Sequence, residues 1–147
     1  MTHPVSTTYL DQQVAKVSAA LPGAGAYDTP LALHCPGFDF VTFYCSYLRG
    51  GVGGSVRCRL EVCPDQAAAP AWTQQSLYAA AAVAAGADAS SLEQRETILY
   101  TSTSANAELF VVGPVALKGT VERLRMACAE VGAVATPGTM SIDARFS

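Results

Sequence analysis

The segment from Phe40 to Cys63 constrains the fold more than any other part of the chain. Apolar and polar residues alternate on both sides of a glycine-rich turn, Gly50-Gly51-Val52-Gly53. Such alternation marks half-buried strands, because successive side chains leave a strand on opposite faces. Folded as a hairpin about this four-residue loop, the segment sets Tyr47 opposite Val56, Cys45 opposite Cys58, Phe43 opposite Leu60 and Val41 opposite Val62. All four pairs are apolar. The other face then carries Ser46 with Arg57, Tyr44 with Arg59 and Thr42 with Glu61. A slip of one residue would bury the arginines, so the pattern predicts an antiparallel hairpin with Phe43, Cys45, Leu60 and Val62 in the core.

Turn signals recur along the rest of the chain at Pro22-Gly23, Pro36-Gly37, Pro64-Asp65, Gly113-Pro114 and Pro137-Gly138. The intervening stretches are rich in Val, Phe, Tyr, Thr and Leu, which predicts an all-β fold, a single antiparallel β-sandwich. Further strands are expected over Val14 to Ala19, Thr97 to Thr101 and Leu109 to Val112. Alternation puts Leu124, Met126 and Cys128 on one inward face and Met140, Ile142, Ala144 and Phe146 on another. Ser76 to Ala85 holds six alanines and is followed by Gly86, a helix-like composition with a helix stop. Strand-forming neighbours on both sides outweigh that propensity, and a strand is assigned. Residues 1–8 are polar and aperiodic and read as a short extended amino-terminal arm; residues 9–147 read as the sandwich domain.

Chemistry is sparse. Charged residues make up only 14% of the chain against about 25% in ordinary globular proteins, which points to surface reserved for a partner. A formal charge of −3 leaves no basic excess for phosphates, so nucleic acid is not the expected ligand. No apolar run is long enough to span a membrane, and the opening residues lack the basic start and apolar segment of a secretory leader, so synthesis in the cytoplasm is expected. Five cysteines, Cys35, Cys45, Cys58, Cys63 and Cys128, include no CxxC pair, and the two histidines stand far apart; no metal site and no cofactor are assigned. Cys45, Cys58 and Cys128 read as small core residues with free thiols. His34-Cys35 would need a kink at Pro36 to converge as a nucleophile pair, and the carboxylates are scattered, so no catalytic residue is nominated. The glycine cluster lacks the Lys-Ser/Thr of a phosphate loop. Trp72 with Tyr78, and Phe38, Phe40, Phe43, Tyr44 and Tyr47, offer a sugar-stacking platform as the alternative to plain core packing.

Two stretches carry something more specific. LEVCPDQAAAPAWTQQSLY at 60–78 runs strand, Asp-containing turn, Trp and strand, and residues 113–147 contain the element EVG-x4-PGT-x-x-I. Together they resemble jelly-roll-like β-sandwich proteins of tailed-bacteriophage particles, of the accessory or decoration kind. The resemblance implies a non-enzymatic virion protein, made in the bacterial host, that binds copies of itself, often as trimers, and the major capsid protein. Partner contacts are expected from the arm (Met1, Thr2, His3, Pro4 and Val5) and from Tyr44, which the hairpin register sends outward beside Arg59. A carbohydrate-binding β-sandwich module is the alternative function.

Overall fold

The protein is described by a computed structural model over residues 11–23, 25–51, 54–63, 72–75, 77–80, 92–95, 97–117, 122–131 and 136–147. Among these residues there is no helix. The first strands are β1 (Gln12–Ala20), β2 (Leu33–His34), β3 (Phe40–Leu48) and β4 (Ser55–Cys63). Three short strands follow, β5 (Thr73–Gln75), β6 (Leu77–Ala80) and β7 (Leu92–Arg95). The chain ends with β8 (Ile98–Thr101), β9 (Glu108–Ala116), β10 (Arg123–Glu130) and β11 (Thr139–Phe146). The strand expected over 76–85 is present at Leu77–Ala80; the remainder of that stretch, and the arm at 1–8, lie outside the described residues.

One sheet has the order β1-β11-β3-β9, and the other has β2-β10-β4 with β5 and β8 sharing the far edge of β4. All pairings are antiparallel. With β5 to β7 set aside as an insertion, eight strands remain, and the first pairs the last, the second pairs the seventh, the third the sixth and the fourth the fifth. This is a long two-stranded ribbon rolled up on itself, the jelly-roll order. Its faces follow the alternation: Val41, Phe43, Cys45 and Tyr47 point in from one sheet, and Val56, Cys58, Leu60, Leu124 and Met126 from the other. Tyr100 of β8 stacks on Phe110 of β9 at 4.3 Å between ring centroids, joining the two layers.

The expected hairpin at 40–63 does not form. β3 lies in the first sheet between β11 and β9, whereas β4 lies in the second beside β10, so the connection between the two strands is an arch from one layer to the other. The inward residues were assigned to the correct face, with Phe43, Cys45 and Leu60 buried and Val62 half-buried, but they meet across the core instead of along a ladder. Alternation fixes which face is buried and is silent on the pairing partner, and in a rolled ribbon consecutive strands of one arm go to opposite sheets. Gly50 serves the arch directly: a side chain there would collide with the backbone carbonyls of Thr136 and Pro137.

Cysteine neighbours change accordingly. Cys58 pairs with Cys128 across β4 and β10, their sulfurs 3.7 Å apart, while Cys45 sits opposite Ile142 and Phe110. Cys128 turns its N–H and carbonyl away from β4, toward Asp28, so the Cys58 and Cys128 pair is of the non-hydrogen-bonded type in which side chains approach most closely. All five thiols are free and buried.

Candidate interaction surfaces

Each sheet turns one face outward, and the two outer faces differ in chemistry. The first sheet exposes Phe40, Tyr44 and Leu48 at every fourth position of β3, with Leu109 and Val111 beside them on β9; Leu109 is 77% exposed and the other four are 40–46% exposed. Tyr44 stands opposite Val111 on one side and Asp143 on the other, with the Arg145 guanidinium 5.7 Å from its ring centroid. Tyr44 is thus outward as expected, but its neighbour is Arg145 and not Arg59, which lies in the other sheet. The remaining nominated contacts, Met1, Thr2, His3, Pro4 and Val5, lie outside the described residues.

The second sheet presents arginine. Arg57 and Arg59 on β4 and Arg123 and Arg125 on β10 occupy the outward positions of paired strands. Glu61 between them receives Arg125 Nε at 2.6 Å and Arg59 at 3.0 Å. The Arg125 guanidinium lies 4.2 Å from the centroid of Trp72, that of Arg123 5.8 Å from the same ring, and that of Arg59 3.9 Å from the centroid of Tyr27. The pattern was visible as Arg-x-Arg in both 57–59 and 123–125. What the sequence did not show was that β4 and β10 are partners, so the two halves of the cluster were not joined.

The edge where β1 meets the chain before β2 is pinned by polar contacts. Lys16 reaches Asp28 at 2.6 Å with both side chains nearly buried, and Asp28 also accepts the Cys128 N–H at 2.9 Å. The Gln13 amide donates to the His34 carbonyl at 2.7 Å and accepts from the His34 N–H at 3.2 Å. These contacts engage the backbone of His34. Cys35 is buried, and burial, reinforced by the nearby Glu122 carboxylate, pushes its thiol up to about 12, so it carries almost no thiolate at neutral pH.

Concavities along this side are open and shallow. One of about 280 Å³ is lined by Gln12, Gln13, Val14, Asp143, Ala144 and Arg145, and another of about 200 Å³ by residues that include Lys16, Val17 and Leu31. Among the described residues no three metal-ligating side chains come together. In comparisons with protein-family models and with curated proteins, the chain matches none.

Proposed function

We propose that the protein is a non-enzymatic structural protein of a phage particle, a capsid accessory or decoration protein acting through self-association and capsid contacts. The observation that carries the self-association is the apolar row Phe40, Tyr44, Leu48, Leu109 and Val111 on the outer face of the first sheet. Scattered apolar residues on a surface need no partner, whereas Tyr44, Leu48, Leu109 and Val111 are direct or diagonal neighbours on two paired strands, with Phe40 farther along beyond Thr42, and form a patch of the kind found at interfaces. Four strands of about nine residues span roughly 19 by 30 Å. That approaches the roughly 800 Å² per partner of a standard interface, and the amino-terminal arm supplies the remainder. The phage setting comes from the resemblance of residues 60–78 and 113–147, and the jelly-roll order suits it, being common to capsid and lectin domains. The carbohydrate alternative asks for aromatic rings free to stack on sugars; the Trp72 ring is taken up by Arg125 and Arg123, so it supports that reading less well.

Sedimentation at tens of micromolar is expected to give an oligomer, and Tyr44→Glu with Leu109→Glu to give a folded monomer. Deleting residues 1–8 is expected to weaken assembly or binding to purified phage heads while leaving the far-UV circular dichroism unchanged. A 15 kDa monomer at all concentrations, indifferent to heads, would overturn the proposal.

A further inference from the structure

The outer face of the second sheet carries charge of the opposite sign to the chain as a whole. Its four arginines and Glu61 give +3, which leaves five basic and eleven acidic residues, a net −6, for the rest of a protein whose total is −3. Such segregation has a cost in self-repulsion among the arginines that a single carboxylate offsets only in part. The aromatic rings arrange these groups for use. A guanidinium stacked on a ring spends its flat face there and keeps its N–H groups, which lie in its plane, for an acceptor. Tyr27 holds Arg59 in this way, and Trp72 holds Arg125.

From this face we infer a docking site for an extended acidic segment of a partner polypeptide, with carboxylates at alternate residues. The spacing selects the ligand. Arg57 and Arg59 are two residues apart on one strand, as are Arg123 and Arg125 on its neighbour, so each pair is separated by about 6.6 to 6.8 Å. Acidic side chains on one face of an extended peptide have the same separation, because they rest on the same backbone rise. Glu61 shows how a carboxylate is received, one oxygen on Arg125 and the other on Arg59. Arg57, which makes no ion pair among the described residues, and Arg123 extend the row beyond it in opposite directions, over about 20 Å of paired strand. A long polyanion such as nucleic acid fits less well, since it would run off this short row onto the remainder of a chain whose other residues sum to a net −6. The inference stands on the arginine face alone and does not require the particle reading.

Trp72 is the chain's single tryptophan, so its fluorescence reports this face without a label. The probe is an acetylated octapeptide of alternating glutamate and serine, titrated into the full chain in low salt. A saturable change in Trp72 emission is expected, weakened at least tenfold by 0.5 M NaCl and absent with a lysine-serine peptide. Arg57→Glu, and separately Arg123→Gln, should each weaken it severalfold with an unchanged circular dichroism spectrum; if one variant fails to fold, the other decides. Absence of a saturable response up to 1 mM peptide would overturn the inference, as would unaltered binding by the folded variants. Equal binding of a block peptide of the same composition would remove the alternate spacing, and tighter binding of a single-stranded oligonucleotide would remove the polypeptide partner.

Discussion

Two acidic side chains gather hydrogen bonds at the end of the roll where β3 passes to β4. Glu130 is 2% exposed, faces the core from β10, and accepts the Tyr47 hydroxyl at 2.5 Å and the Gly138 N–H at 2.8 Å. Tyr47→Phe would leave a buried carboxylate short of one partner, a change expected to cost about 1 to 3 kcal/mol. Urea denaturation measures it; a shift below 0.5 kcal/mol would mean that the hydroxyl contributes little. Glu108 gathers a second set of donors: the Thr103 hydroxyl at 2.5 Å, the Ser102 hydroxyl at 2.7 Å and the Thr103 N–H at 2.8 Å. Those hydrogen bonds, that of the Thr103 side chain foremost and then that of Ser102, lower its carboxyl from 4.5 to about 2. Its folded value lies below its unfolded one, so the stabilisation is present in full above about pH 4.5 and is lost as pH falls toward 2. Glu108→Gln is expected to remove this contribution at neutral pH, and so to flatten the acid limb of stability against pH; an unchanged limb would exclude Glu108 as its source.

At the scale of the element, the arch between β3 and β4 explains both what the sequence discloses and what it conceals. Gly50→Ala would drive a methyl group into the Thr136 and Pro137 carbonyls, backbone atoms that cannot rotate aside. A loss of about 1 to 3 kcal/mol is expected, as for overpacking elsewhere. Gly51 has nothing within 4 Å of such a group, so Gly51→Ala serves as the neutral control. Equal melting temperatures for the two variants would refute the arch. The buried faces of β3, β4, β10 and β11 were legible because a two-residue period directly encodes which side meets water. Their partners were not, since Val41, Phe43 and Cys45 complement an inward-facing strand equally well beside them or across the core. The outward arginines were legible singly and became a cluster only through the pairing of β4 with β10. The exposed row on β3 and β9 was half legible: Tyr44 was placed outward, but Leu109 gives no sign in the sequence of being 77% exposed.

For the whole molecule, the two proposals assign different faces, the apolar one to copies of the same chain and the cationic one to an acidic partner. The double substitution Tyr44→Glu with Leu109→Glu should therefore abolish assembly and spare acidic-peptide binding, while Arg57→Glu should do the reverse; cross-effects would show that one interface serves both. The ribbon topology also sets an order of events in synthesis. β11 lies between β1 and β3, and Gln12 is joined to Arg145 in register, so β1 borders a strand that is translated long after it. At about 5 to 20 residues per second, Gln12 waits on the order of ten seconds for that neighbour. Through this interval Met140, Ile142, Ala144 and Phe146 are missing from the core, and β1 has no edge to join. The first sheet thus stays open until β11 has cleared the exit tunnel, and chaperone occupancy and protease sensitivity should persist until then. Stalled nascent chains ending before residue 139 are expected to be cleaved readily, whereas chains stalled only after β11 has cleared the tunnel on a carboxyl-terminal extension should resist. A stop codon inside β11 would then be as damaging as one far upstream.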